Sequence, residues 1–449
     1  MEVRARAAGK IILAGEHAVV HGSAAVAAAI NLYTTCSLRI LPPVAEGGQD
    51  GAGAVELDLR DPGLVFSWPC ARLCEALGEG CGAARILPPV AEGGQDGAGA
   101  VERDLRDPGL VFSLPCARLC EALGEGCGAA GTRKPRPCSP NQLAAIARLL
   151  EEHEIPDAKI WLSAGLSAFL FLYTSILGCS TPGKVVVSSD LPMGSGLGSS
   201  AAFCVSMSGA LLTAAGAVSA ISGVEGKGWE SFGKNDLELV NQWAFQGEKI
   251  IHGKPSGIDN AVSTYGSMIK FKKGELTSLK SSNPVKMLIT DTRVGRNTKA
   301  LVAGVSERAS RHPDAMASVF HAVNSISEEL SSIVELAADD EIAITSKEEK
   351  LAELMEMNQG LLQCMGVSHS SIETVLQTTL KFNLVSKLTG AGGGGCVLTL
   401  IPTLLSNLVL EKVTAELESH GFRCFKVEVG GQGLQVCQGD CSCFNGDVV

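Results

Sequence analysis

The stretch Pro192-Met193-Gly194-Ser195-Gly196-Leu197-Gly198-Ser199-Ser200-Ala201-Ala202 constrains this chain more than any other. Three glycines alternate with other residues, two hydroxyls follow, and Ala201 to Leu212 then favours helix. Just upstream, Lys184-Val185-Val186-Val187-Ser188-Ser189 reads as a β-branched strand ending at a turn. Strand, glycine loop and helix in that order aim backbone N–H groups and a helix N-terminus at a bound anion. Glycine suits such a loop because the backbone must approach phosphate oxygens closely and can need φ > 0. No Lys follows the last glycine of the run, so this is not a Walker A loop. A Gly/Ser-rich turn that only opens a helix has the same local sequence, and the rest of the chain must decide between the two.

With 449 residues the chain has room for two or three domains and a large core. Its net charge of −11 argues against general nucleic-acid binding, so a phosphate site has to be a local exception to the overall field. Hydrophobic residues at 45% against 19% charged describe an ordered globular protein, and aromatics at 4% leave packing to Ala, Leu, Val and Ile. Of the sixteen cysteines, six belong to a duplicated segment (Cys70, Cys74, Cys81 and Cys116, Cys120, Cys127). The others lack paired zinc spacings, the nearest approach being Cys437, Cys441 and Cys443 in the tail. Unpaired cysteines in an enzyme-sized chain imply a reducing, cytoplasmic setting. Residues 1–15 contain no long apolar run, so no signal peptide is expected. The apolar run Leu166 to Leu177 is too short to span a bilayer and reads as a buried helix, so no membrane partner is expected.

Along the chain, Ile11-Ile12-Leu13-Ala14-Gly15-Glu16-His17 reads as a buried strand delivering polar side chains to a surface. A satisfied Glu–His pair beside a turn is the plain reading of Glu16 and His17. Leu32 to Ile40 reads as a second strand. Residues 39–84 then recur at 85–130 without gaps, differing only at Leu57 versus Arg103 and Trp68 versus Leu114. Two copies do not make a solenoid, and identity at surface and core positions alike points to a tandem duplication. Each copy holds a glycine-rich loop, an alternating strand (Val55, Leu57, Leu59 in the first) and a short helix (Ala71 to Leu77). Arg103 interrupts the alternation in the second copy, which predicts that the first copy's strand takes the native sheet position and the second is an appended insertion. Helices are expected over 141–153, 166–178, 236–252 (capped by Asn235 or Asp236), 298–311, 315–337, 347–362 and 405–420. A turn is expected at 254–260 and strands at 268–271, 286–290, 397–401 and 424–429. A β-α-β ending with helices before it suggests a second, α+β lobe.

Phosphoryl transfer needs phosphate cradling, a divalent cation and a group that orients and deprotonates the acceptor hydroxyl. The hydroxyl of Ser200 and the carboxylate of Glu248 suffice for Mg²⁺, which fills its other sites with phosphate and water. Asp259 can accept the proton, and Lys10 can neutralise developing charge. Each has a structural alternative: a capping hydroxyl for Ser200, a solvated helix charge for Glu248, an Asx-turn for Asp259. Three separated segments, Gly9-Lys10 with Gly15-Glu16-His17-Ala18-Val19-Val20-His21-Gly22, then Pro192 to Ala202, then Leu388 to Cys396, resemble the three motifs of the GHMP small-molecule kinases. The linking segments Trp243 to Glu248, Ile251 to Asn260 and Arg296 to Leu301 resemble the branch of that family that phosphorylates mevalonate, notably its plant members. The resemblance covers nearly the whole chain except 85–130 and the last dozen residues.

That resemblance implies a two-lobed α+β GHMP kinase fold: an N-terminal ATP-binding α/β lobe over 1–283, with 85–130 as the duplicated insertion, and a ferredoxin-like α+β lobe over 284–449. It implies transfer of the ATP γ-phosphoryl to the 5-hydroxyl of (R)-mevalonate in isoprenoid and sterol biosynthesis, by a homodimer. By position, Lys10, Ser189, Gly194, Ser195, Gly196, Leu197, Gly198, Ser199 and Ser200 would hold ATP, and Ser200 and Glu248 would ligate Mg²⁺. Asp259 would be the catalytic base with Lys10 beside it. Glu16, His17, Ser256, Thr298, Gly392 and Gly393 would surround mevalonate, although Thr298 is also placed to be a helix N-cap. The family's nucleotide-contacting Asn falls near Asp61, or Asp107 in the second copy. Galactokinase fits less well, because Ala18-Val19-Val20 replaces the Thr-Asp expected after Glu-His for sugar binding. Phosphomevalonate and homoserine kinases fit the linking segments less well, and the rival of another class is a non-catalytic ligand-binding relative disabled by the insertion.

Overall fold

A computed structural model of the chain describes residues 1–41, 53–60, 63–77, 134–153, 162–221, 228–281 and 283–438. The second repeat copy lies outside the described residues, as do Asp61, Asp107, Cys441 and Cys443.

The spine of the first lobe is an antiparallel ribbon of two long strands, β1 (Glu2–Ala14) and β2 (Ala25–Ile40), joined through a 3₁₀ turn, Ala18–His21. Side chains of β1 alternate in burial from Val3, then stay buried from Ala7 to Ile11 where helices cover both faces. The first repeat copy supplies β3 (Ala54–Leu59), β4 (Leu64–Pro69) and α1 (Cys70–Leu77). After α2 (Pro140–Glu151) and α3 (Ser163–Ile176), β5 (Gly183–Ser189) inserts between β2 and β3, antiparallel to the first and parallel to the second. Leu57 and Trp68, the two positions where the copies differ, are both buried, and Trp68 packs among Phe66, His153 and Phe169.

Next come α4 (Ser199–Ala214), the small hairpin of β6 (Ala220–Ile221) and β7 (Ser231–Phe232), α5 (Lys234–His252), α6 (Ile258–Tyr265), β8 (Met268–Lys272) and β9 (Glu275–Leu279). Small and apolar residues all round α3 and α4 suit helices buried on every side, and α4 packs against β1, β2 and α5. The N-cap of α5 is Gly233, two or three residues before the expected Asn235 or Asp236, while Asp236 accepts the Ser219 N–H instead.

The second lobe runs β10 (Val285–Asp291), α7 (Thr298–Arg311), α8 (Pro313–Glu335), α9 (Glu341–Met365), α10 (Ser370–Leu380), β11 (Ser386–Leu388), β12 (Cys396–Leu400), α11 (Asn407–Ser419) and β13 (Arg423–Val429). Its strands lie in the order β11-β12-β10-β13, antiparallel throughout, which is the split β-α-β arrangement of a ferredoxin-like lobe. The two lobes share one continuous sheet, since Val429 of β13 pairs with Ile30 of β2. A final strand, β14 (Gln435–Gln438), returns to pair with the start of β1. β4, β6, β7, β9, α10, β11 and β14 were not foreseen. The expected turn at 254–260 also ends early, because Gly257, at φ 83°, turns the chain straight into α6.

Candidate active site

A cavity of about 680 Å³ opens where the C-terminal end of β1, the glycine loop, the end of α5, the start of α6 and the second glycine run converge. Gly194, Gly196 and Gly198 all have left-handed φ, at 73°, 83° and 76°. Gly198 is also the N-cap of α4, so the loop delivers a helix N-terminus to the cavity. A Cβ on Gly198 would stand 2.7 Å from Lys10 Cγ, so this glycine makes room for the lysine. The Lys10 N–H donates to the Leu197 carbonyl at 2.8 Å, which fastens β1 to the loop. From there Lys10 Nζ reaches Asp259 Oδ1 at 3.3 Å. Asp259 sits in the first turn of α6 rather than in an Asx-turn.

One turn before the end of α5, Glu248 points inward and is buried. Its Oε1 has no hydrogen-bond partner among the described residues. Burial, reinforced by the Asp259 charge, pushes its carboxyl up to about 7 against the pull of Ser200 and Lys10. The Ser200 hydroxyl lies within hydrogen-bonding reach of this carboxylate and 3.1 Å from His252 Nε2. Glu248 is therefore no solvated helix charge. A buried carboxylate oxygen lacking a partner beside a hydroxyl is a donor set of the hard-oxygen kind that suits Mg²⁺.

Glu16, His17, Ser256 and Thr298 all line the cavity as well. Glu16 does not pair with His17. It forms a buried ion pair with Lys387 and accepts a hydrogen bond from Asn358 Nδ2 at 3.1 Å. His17, held at φ 56°, donates from Nε2 to the Ala391 carbonyl at 2.9 Å. Its Nδ1 has no partner among the described residues, and burial lowers its pKa, so the ring is a neutral imidazole with a free lone pair. Thr298 is not the cap of α7, since Asn297 Oδ1 accepts the Ala300 N–H at 3.1 Å and takes that task.

Ser189, Gly194, Gly196, Gly198, Ser199 and Ser200 border the cavity as well. Ser195 and Leu197 support the loop from behind: Ser195 Oγ donates to the Pro192 carbonyl at 2.7 Å, and the Ser195 carbonyl accepts from Arg296 at 2.8 Å. Gly392 and Gly393, expected around mevalonate, are not among the residues that line the cavity. A Cβ on Gly392 would collide with the Val367 carbonyl, and the Gly393 N–H donates to that carbonyl at 2.8 Å. Their glycine character serves close packing on the α9–α10 connection, and Gly390 and Ala391 form the cavity edge instead.

Residues 166–267 match the GHMP kinases N terminal domain and residues 341–419 the GHMP kinases C terminal domain. A mevalonate kinase of Arabidopsis thaliana is 53% identical over 97% of this chain and its own full length. The chain belongs to the mevalonate kinase family. The Homo sapiens member is 36% identical over 96% of this chain and 93% of its own. The mevalonate kinase of L. major, solved in complex with R-mevalonate, shares the fold with a TM-score of 0.57, 19% identity, and coverage of 95% of this chain and 96% of that one. The expected two-lobed GHMP kinase fold is the fold found.

Sequence reasoning about this family member missed three residues of the site. Arg296 is half-buried between the two glycine runs, donating to the Ser195 carbonyl and, at 3.4 Å, to the Thr389 carbonyl. Gly196 leaves space for its guanidinium, where a Cβ would collide. Lys387 was readable as a lone charge inside an apolar strand segment. His252 was readable by its helical spacing, four residues after Glu248.

Proposed function

We propose that this chain is an ATP-dependent kinase that phosphorylates the 5-hydroxyl of (R)-mevalonate to give (R)-5-phosphomevalonate and ADP. The observation that carries the reading is the Lys10–Asp259 pair, fastened to the same loop that presents the N-terminus of α4. Loop N–H groups and the α4 terminus cradle the phosphates of ATP, and the apolar arm lined by Leu57, Leu166, Val187 and Phe203 suits a purine ring. Ser200 and Glu248 would hold Mg²⁺, which when bound neutralises the β- and γ-phosphate oxygens. Asp259 orients the acceptor hydroxyl and takes its proton as the oxygen attacks the γ-phosphorus. Lys10 stands beside both the carboxylate and the transferring group, where negative charge accumulates. Neutral His17 offers its Nδ1 lone pair to an acceptor O–H, and Ser256 and Thr298 supply hydroxyls to the same side.

The reading places the enzyme in isoprenoid biosynthesis, sterols included, as a cytosolic homodimer. It divides the chain into an ATP-binding lobe over 1–283, carrying 85–130 as an insertion, and a C-terminal lobe over 284–449. An assay of ADP release with mevalonate, galactose, phosphomevalonate and homoserine as acceptors tests the substrate, and turnover of galactose without mevalonate overturns it. Asp259→Asn is expected to lower kcat by at least about a thousandfold while ATP still binds. A fully active variant would remove Asp259 from the role of base.

A further inference from the structure

Lys387 stands in β11 directly beneath the acceptor side of the cavity, with no solvent exposure. Its ammonium pairs with Glu16 and donates to the Leu388 carbonyl at 2.7 Å and the Ile12 carbonyl at 3.4 Å. Asn358, from α9, donates to the other Glu16 oxygen. Two residues after Lys387, the Thr389 hydroxyl donates to the Ile12 carbonyl and accepts the Ile12 N–H, both at 3.0 Å. Donors from the second lobe therefore hold both oxygens of a first-lobe carboxylate, and with them the corner that presents His17.

Glu16 still forms part of the cavity wall. A carboxylate there without a counter-charge would repel an acceptor that is itself a carboxylate, in a place where water screens little. We propose that Lys387 is a positioning and specificity residue for the acceptor: it cancels the Glu16 charge so that the pocket admits a carboxylate-bearing alcohol, and it fixes the Glu16–His17 corner from the other lobe. The proposal rests on the reading that the acceptor is mevalonate, a hydroxy acid.

The sign of the charge separates this role from a merely structural one. Lys387→Met leaves the wall negative, Glu16→Gln leaves it positive or neutral, and the double variant restores a neutral pair. Lys387→Met is expected to raise the KM for mevalonate about tenfold or more while the KM for ATP stays within about twofold. Glu16→Gln is expected to shift the mevalonate KM downward, and Glu16→Gln with Lys387→Met to bring it back to within about threefold of wild type. Equal increases in the two single variants, or equal increases for ATP and mevalonate, would overturn the proposal. If Lys387→Met does not fold, the double variant decides, because a mevalonate KM about tenfold above wild type in a folded neutral pair also overturns it. Wild-type turnover of mevalonate, measured first, tests the substrate reading separately from these ratios.

Discussion

At the scale of single residues, the site depends on what glycine leaves out. Gly198 and Gly194 have nearly the same left-handed φ, but only at Gly198 would a Cβ meet another residue, the Lys10 stem. Either Gly→Ala change should cost about 1–2 kcal/mol of stability for the left-handed backbone. Gly198→Ala should also displace Lys10 and lower kcat by about a hundredfold, whereas Gly194→Ala should lower it far less. Steady-state kinetics beside urea unfolding reads both effects, and equal kcat losses would show that the Lys10 contact is not what matters. His17 gives a pH-dependent counterpart. Burial holds its folded pKa below the ordinary 6.5, so between those two values the unfolded chain binds the extra proton. The stability this contributes is complete above 6.5 and is lost as pH falls through the folded pKa. Urea midpoints measured from pH 8 down to pH 5 should decline for wild type and decline less for His17→Gln.

At the scale of elements, β14 shows what pattern reading cannot reach. Leu434-Gln435-Val436-Cys437 carries no alternation long enough to signal a strand, yet all four residues are buried, because β1 offers its edge and Leu434 lands against Gly209 of α4. Fully burying one Leu or Val side chain is worth about 1.5–3 kcal/mol, so a chain ended at Gly433, without Leu434 and Val436, should lose at least about 3 kcal/mol relative to one ended at Gln438. Thermal unfolding of the two truncations checks this, and equal Tm values would make β14 dispensable. Elements with strong local signals were legible: the β-branched β5, the all-apolar α3 and the small-residue α4 all lie where their sequences put them. The site was legible to the extent that it is local. Glycine spacing exposed the loop, and the family resemblance of the segment Trp243 to Glu248 singled out Glu248. The Glu16–Lys387 pair and the Arg296 brace join residues hundreds of positions or a whole lobe apart, and no local pattern encodes such contacts. Gly392 and Gly393 show the complementary limit: glycine signals a close approach without saying to what, and here both pack on Val367.

At the scale of the whole molecule, the duplication poses a choice that two fully buried positions resolve. Deleting 85–130 or deleting 39–84 leaves chains of equal length that differ at only two places, Leu57 versus Arg103 and Trp68 versus Leu114. Leu57 is buried in β3 and lines the apolar arm of the cavity, and Trp68 is nearly solvent-free among three aromatic rings. An arginine in place of Leu57 puts an unpaired charge into that wall, and a leucine in place of Trp68 leaves a void beside His153 and Phe169. The chain lacking 85–130 should unfold cooperatively, with an ATP KM equal to or below that of the full-length protein. The chain lacking 39–84 should be less stable by at least about 3 kcal/mol and should bind ATP more weakly, because the same arginine would face the apolar arm proposed for the purine. Urea unfolding and ATP titration of the two deletions form a matched pair in which loop length and composition are constant. Equal stability and equal ATP affinity would show that either copy can occupy the sheet, and a difference of the opposite sign would assign β3 to the second copy.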